Sequence, residues 1–315
     1  MRYIVGNSQI VGKRDNQEDY FASVNIHNGM LCIVADGMGG YEGGEVASKV
    51  VVKFFLEYCK KYLKEDNIET ILLEATHFAN KKLELEKENN PTLEEMGSTL
   101  IATYITNERL YWVSVGDSLL IKYNKQLSRL NADHSIAGEL QQKVDSGQMT
   151  QEEADNKPNR NALTSALTGY EIPHIDCSSI LLNEEDRFLL ASDGILTIED
   201  KLIEKVFKTV DDIQGICDEL INLVQKRNLN NQDNTTIVIV AKQSMRVVDT
   251  KAKSEQVKLA TPRVGFLFGI IIFLLMIIIA ILYSDKIEIL YHEILDTNTT
   301  QVQQPDTNKS QLNKV

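Results

Sequence analysis

Residues 30–40 read MLCIVADGMGG, an apolar run that ends in an aspartate and a glycine-rich turn. Positions 31–35 are apolar throughout, which predicts a strand that is covered on both faces. Such a strand needs a packed layer on each side. The glycines after Asp36 indicate a tight connection into the helical stretch that follows.

Strand-like runs on either side of this segment predict antiparallel sheets. Residues 21–26 precede it across His27-Asn28-Gly29, a hairpin signal. Two residues separate the runs 98–106 and 109–116, and so short a connection requires antiparallel pairing. Further strands are predicted at 119–123, 178–182, 187–191 and 235–241, and helices at 43–64, 68–88 and within 199–228. We therefore expect an α+β fold of two packed antiparallel sheets flanked by helices, a four-layer α-β-β-α sandwich.

Acidic residues recur at the ends of the predicted strands, at Glu18-Asp19, Asp36, Asp117, Asp193 and Asp233. One such residue usually marks a turn, but strand ends on one side of a sheet lie close together, so five sites can converge. Converging carboxylates repel one another unless cations intervene, and their oxygen atoms suit Mg²⁺ or Mn²⁺. The five histidines form no HxH or HExxH pattern, which argues against zinc.

Charge and motif content argue against several other functions. The net charge is -12 and the main body has no basic stripe, so we expect no binding to nucleic acid. None of the four cysteines is followed six positions later by arginine, which excludes the cysteine-nucleophile phosphatase loop. The glycine-rich turn is not a dinucleotide-binding motif, because that motif would need glycine where Glu42 stands.

Eight short motifs follow one another along residues 1–242. The most specific is Val34-Ala35-Asp36-Gly37-Met38-Gly39-Gly40. The others are GKRDNQED at 12–19, GST at 97–99, VGDS at 115–118, DHS at 133–135, NALTSALTG at 161–169, SDG at 192–194 and DNTT at 233–236. In this order they resemble the type 2C, or PPM, family of metal-dependent protein serine/threonine phosphatases, and most closely its bacterial members.

The resemblance implies a metal-binding role for the aspartates. Asp36 is expected to bridge two Mn²⁺ or Mg²⁺ ions, with the carbonyl group of Gly37 completing one site. Asp193 and Asp233 are expected to hold the second ion. Asp117, together with Asp193, resembles the site of a third ion in bacterial members of the family.

The resemblance also implies how a phosphoprotein would be bound and hydrolysed. Arg14 is expected to bind the substrate phosphate, which a guanidinium group matches bidentately. Glu18 and Asp19 are expected to orient water molecules around the ions. The predicted reaction is hydrolysis of phosphoserine and phosphothreonine by a metal-activated water. The expected partners are phosphorylated proteins, including membrane-bound serine/threonine kinases. The alternative is a membrane-tethered pseudophosphatase that binds phosphoproteins without turnover, although the acidic residues at the metal positions favour the enzyme.

Residues 264–283 read VGFLFGIIIFLLMIIIAILY and carry no charge. A helix of this length spans roughly 30 Å, the hydrocarbon thickness of a bilayer, so the pattern predicts a transmembrane helix. Basic residues precede it, at Arg246, Lys251, Lys253, Lys258 and Arg263. By the positive-inside rule the preceding part is cytoplasmic. We therefore expect a membrane protein with a cytoplasmic phosphatase domain at 1–242, a basic linker at 243–263 that can touch lipid, one span at 264–283 and a polar extracytoplasmic tail at 284–315.

Overall fold

The computed structural model describes residues 3–40, 42–64 and 66–243 of the chain. Within this part the strands are β1 (Tyr3–Ile10), β2 (Asp19–Ile26), β3 (Gly29–Met38), β4 (Gly97–Ser98), β5 (Leu100–Ile105), β6 (Arg109–Val115), β7 (Leu119–Asn124), β8 (Gln126–Arg129), β9 (Asp176–Leu181), β10 (Arg187–Ala191) and β11 (Thr235–Lys242). The helices are α1 (Gly43–Tyr62), α2 (Ile68–Asn89), α3 (Ile136–Asp145), α4 (Gln151–Asp155), α5 (Asp200–Thr209) and α6 (Ile213–Arg227).

The strands form two antiparallel sheets. The first has the order β1-β11-β10-β7-β8, and the second has the order β2-β3-β5-β6-β9, with the short β4 paired to β3. The first sheet joins the two ends of the domain, because β1 pairs with β11 along its whole length, from Tyr3 opposite Lys242 to Ile10 opposite Thr235. The second sheet contains the predicted hairpin of β2 and β3.

Three apolar cores lie between four layers of structure. On β3, Leu31 and Ile33 pack with side chains of α1 and α2. The alternate residues Cys32 and Val34 face the other sheet, where they meet side chains such as Phe188 of β10. A third core joins the first sheet to α5 and α6. Strand β3 is thus buried on both faces, as its apolar sequence predicted. The predicted α-β-β-α sandwich is confirmed.

Two strands were not predicted from the sequence. Strand β1 reads YIVGNSQI, and its polar residues and glycine interrupt the alternation that marks a strand. Its Gly6 lies against α6, where an added Cβ atom would approach the backbone oxygen of Ile213 to 2.8 Å. Strand β8 has four residues and is largely exposed. Strand β1 depends on pairing with the distant β11, and β8 depends on pairing with β7. The local sequence of a strand does not reveal such pairing.

Among the described residues, no helix combines the length and apolar character that a bilayer crossing requires. The predicted span at 264–283 and the tail at 284–315 lie outside the described residues, as does the linker apart from Gln243.

Candidate active site

An open cavity of about 1160 Å³ lies where several strands of both sheets begin or end. It is lined by seven of the eight residues predicted from the sequence, namely Arg14, Glu18, Asp36, Gly37, Asp117, Asp193 and Asp233. The eighth, Asp19, is buried beside them with 2% of its surface exposed. The structure therefore brings together residues that are separated by more than 200 positions in the chain.

Asp19 and Asp36 stand directly opposite each other in the β2–β3 pair. Like charges in this position are unfavourable, and burial adds to the cost. Ser192 Oγ and Thr236 Oγ1 donate hydrogen bonds to Asp19 Oδ2 at 2.8 and 2.7 Å. The second oxygen, Oδ1, is buried and has no hydrogen-bond partner among the described residues. Burial, with a smaller contribution from Asp193, raises the pKa of Asp19 to about 7.

Asp36 and Asp117 are also held in a setting that disfavours their charged form. Burial, followed by the charges of Asp19 and Asp193, raises the pKa of Asp36 well above its usual range. Burial, together with the charge of Asp193, raises the pKa of Asp117 to about 7. A group of acids arranged in this way is stabilised by bound cations, which favour the ionised form of each ligand.

Arg14 is one of two basic residues in the described part of the chain that line the cavity, the other being Lys13. Its guanidinium donates to Asp233 Oδ2 at 2.5 Å, and about half of its side chain is exposed. Burial raises the pKa of Glu18, and the positive charge of Arg14 opposes this shift only in part. An exposed guanidinium at the mouth of an acidic cavity is placed to meet an anionic group that enters from solvent.

The turn after Asp36 brings strand β3 against the first turn of α1. A Cβ atom added to Gly37 would overlap the carbonyl oxygen of Gly44, so only glycine permits this approach. Gly37 N–H also donates to the carbonyl oxygen of Glu18 at 3.0 Å. The carboxylate of Glu18 lies beside Gly44, near the positive end of the α1 dipole.

Residues 5–237 match the sequence model of the family described as Protein phosphatase 2C. The chain belongs to the protein phosphatase 2C family. It is therefore a phosphatase that acts on phosphorylated proteins, and the predicted family and enzyme class are confirmed.

The phosphatase is similar to proteins of several bacteria that are named as phosphatases. It is 29% identical over 239 residues to the serine/threonine phosphatase stp of Listeria welshimeri, an alignment that covers 74% of this chain and 93% of the relative. The solved catalytic domain of PstP in complex with two manganese ions is 28% identical, with a TM-score of 0.65 over 76% of this chain and 97% of that one. Stp1 of Staphylococcus aureus is 28% identical, with a TM-score of 0.69 over 77% and 96%.

Several residues that support the phosphatase site were part of the sequence motifs but were given no role. Asn234, which is 3% exposed, accepts a hydrogen bond from Glu18 N–H at 2.7 Å and donates to the carbonyl oxygens of Val11 and Asn16 at 2.7 and 3.1 Å. It thereby shapes the loop that carries Arg14. The signal available in the sequence was the position of Asn234 directly after Asp233. Its partner Glu18 lies more than 200 residues away in the chain, so only the fold reveals the contact.

The described residues that line the cavity suit hard divalent cations. Their side chains include no histidine or cysteine, and the acidic residues among them offer oxygen atoms as ligands. Within the described part of the chain, no three histidine, cysteine, aspartate or glutamate side chains stand close enough to form a complete metal cage. Mg²⁺ rarely uses such a cage, since it binds one or two carboxylates and keeps several water molecules. The buried Oδ1 of Asp19 and the raised pKa values of Asp19 and Asp36 fit a cation site of this open kind.

Proposed function

We propose that this protein is a metal-dependent serine/threonine phosphatase that uses two Mn²⁺ or Mg²⁺ ions to remove phosphate from phosphoserine and phosphothreonine in proteins. The observation that carries the proposal is the cavity in which five of the predicted acidic residues and Arg14 converge. The serine/threonine preference is supported by the names of the bacterial relatives, and the choice of metal by the manganese complex of PstP.

Each predicted residue has a role that suits its position. Asp36, the carbonyl group of Gly37, Asp193 and Asp233 would hold the two ions, and Asp117 with Asp193 would hold a third. When bound, the ions supply positive charge that neutralises the phosphate and acidifies water for in-line attack. Glu18 and Asp19 would orient water around the ions. Glu18 lines the cavity, and Asp19 is buried directly opposite Asp36 in the β2–β3 pair.

Arg14 binds the phosphate of the substrate. Its guanidinium has donors left after the bond to Asp233, and its exposure allows it to reach a phosphate at the cavity mouth. Such a phosphate carries about two negative charges and accepts paired hydrogen bonds from the planar guanidinium.

The decisive experiment measures phosphate release from matched peptides that carry phosphoserine, phosphothreonine or phosphotyrosine, with Mn²⁺ present. We expect turnover of the first two peptides and little or none of the third. Binding of phosphopeptides without release of phosphate would instead identify a pseudophosphatase. Equal turnover of all three would contradict the serine/threonine assignment.

The proposal extends to the partners and location of the phosphatase. The uncharged stretch at 264–283 anchors the chain in a membrane, with residues 1–263 in the cytoplasm and 284–315 outside. The basic linker can contact anionic lipid. A phosphatase held at the membrane meets phosphoproteins in the same membrane at raised effective concentration, so membrane-bound serine/threonine kinases are its expected opponents and substrates.

A further inference from the structure

One side of the cavity is formed by the wall segment, which we define as residues 161–175. Its members that line the cavity are Asn161, Ala162, Leu163, Thr164, Ser165, Ala166, Thr168, Glu171 and Pro173. None of these residues belongs to the predicted metal-binding set. The wall segment therefore offers one surface to a polypeptide around the phosphorylated residue.

The first half of the wall segment is fastened to the sheet. Leu167 exchanges two backbone hydrogen bonds of 2.9 Å with Ser98 of β4. Ser165 Oγ donates to the carbonyl oxygen of His174 at 2.7 Å and accepts from its N–H at 3.0 Å, which closes the base of the loop. These contacts leave the stretch between positions 168 and 173 to be held by other groups.

Asn80 of α2 holds that stretch with both ends of its side-chain amide. Its Oδ1 accepts a hydrogen bond from Gly169 N–H at 2.8 Å, and its Nδ2 donates to the carbonyl oxygen of Tyr170 at 2.6 Å. Only 7% of Asn80 is exposed, and it does not line the cavity. The two residues it holds lie between Thr168 and Glu171, which both do.

Neighbouring contacts keep the same stretch close to α2. Gly169 has a φ of +84°, and an added Cβ atom would come within 2.8 Å of the backbone nitrogen of Glu84. The hydroxyl group of Tyr170 donates to Glu94 at 2.5 Å, and the ammonium group of Lys87 lies 5.0 Å from the centre of its ring. The exposed Tyr170 contacts can adjust with solvent, whereas the buried Asn80 fixes the backbone itself.

We propose that Asn80 is a positioning residue for phosphoprotein substrates, which holds the cavity wall at Thr168 and Glu171 through its paired hydrogen bonds to Gly169 and Tyr170. Loss of these bonds would leave a backbone donor and acceptor unpaired and let the wall move. The metal-binding residues would stay in place, because they are carried by other elements. The effect is therefore expected on binding of a polypeptide and not on the hydrolysis of a small phosphate ester.

The test compares Asn80→Ala and Asn80→Asp with the wild-type protein on two substrates, a phosphothreonine protein and p-nitrophenyl phosphate. Asn80→Asp keeps the acceptor for Gly169 but removes the donor to Tyr170. The matched control is Thr76→Val, an isosteric change of a fully buried residue on the same helix. Its hydroxyl group donates to the carbonyl oxygen of Leu72 within that helix.

We expect both Asn80 variants to raise KM for the phosphoprotein about tenfold, which corresponds to ~1.4 kcal/mol. Their kcat on the phosphoprotein and their kcat/KM on p-nitrophenyl phosphate should stay within about twofold of the wild type, and Thr76→Val should change neither KM. An unchanged phosphoprotein KM, an equal loss on both substrates, or failure of both variants to fold would overturn the positioning role. The role rests on the proposed function, and a wild-type protein without turnover of either substrate would refute that function instead.

Discussion

At the scale of single residues, the main feature of the site is buried negative charge. Asp19 and Asp36 face each other across two paired strands, and Asp19 is almost fully enclosed. Hydrogen bonds from Ser192 and Thr236 satisfy one oxygen of Asp19 and leave the other without a partner in the described structure. In an ordinary core such a pair would be selected against, so its presence in a cavity is a sign of function.

This burial predicts that the metal-free protein loses stability as the pH rises. The pKa of Asp19 is raised from 3.8 to about 7, so the folded state keeps a proton that the unfolded chain releases in that interval. The stabilising effect is complete below the unfolded value and is lost as the pH rises through the folded value. In chelator, Tm should therefore be lower at about pH 8 than at about pH 5.

The Asp19→Asn variant isolates this contribution, because asparagine resembles the protonated carboxyl group in size. The difference in Tm between the two pH values should be smaller in Asp19→Asn than in the wild type when both are stripped of divalent ions. An identical pH dependence in the two proteins would show that Asp19 does not hold a raised pKa.

At the scale of elements, strands with strong local signals were predictable and strands made by long-range pairing were not. Strand β3 is apolar at every core position, and the β2–β3 hairpin is marked by its turn. Strand β1 has polar residues through its centre and becomes a strand because β11, more than 200 residues later, supplies its hydrogen bonds. The acidic residues at strand ends were predictable because each follows or precedes a strand with a strong local signal. Asn234 and Ser192 form hydrogen bonds with Glu18 and Asp19, which only the fold brings near them.

The connection between β3 and α1 predicts that alanine is tolerated at Gly43 but not at Gly37. Gly37→Ala should place a methyl group into the carbonyl oxygen of Gly44, which should lower Tm by about 5 °C or more and abolish phosphatase activity. Gly43→Ala is the matched control, since its nearest neighbour would be the side chain of Met96 at an ordinary 3.4 Å. Gly37→Ala with wild-type Tm and activity would contradict the close approach of β3 to α1.

At the scale of the whole molecule, the four layers place the cavity where strand ends from both sheets meet. The compact unit Met1–Arg246 contains every residue proposed to act in the reaction. This arrangement makes the chemistry independent of residues 264–283, whose proposed role is to determine where in the cell the reaction occurs.

The separation of chemistry from location predicts the behaviour of two protein forms. A fragment of residues 1–246 should be soluble, folded and as active as the full chain on a phosphopeptide, as measured by phosphate release. The full chain should remain in the membrane fraction after alkaline extraction, and protease added outside intact cells should remove only the tail. Full-length protein in the soluble fraction would contradict the anchor, and digestion of the catalytic domain would contradict the orientation.

The central claim, that the acidic cavity is a metal centre for phosphate hydrolysis, is tested most directly by a Mn²⁺ titration. Phosphate release from a phosphothreonine peptide is measured with chelator-stripped wild-type protein and with Asp36→Asn. The control is Asp218→Asn, a change at an exposed residue of α6 that does not line the cavity. The account predicts no turnover without metal, saturable recovery in the wild type and in Asp218→Asn, and a kcat at least about 100-fold lower in Asp36→Asn. Full turnover by the stripped wild type, or wild-type turnover by Asp36→Asn, would contradict it.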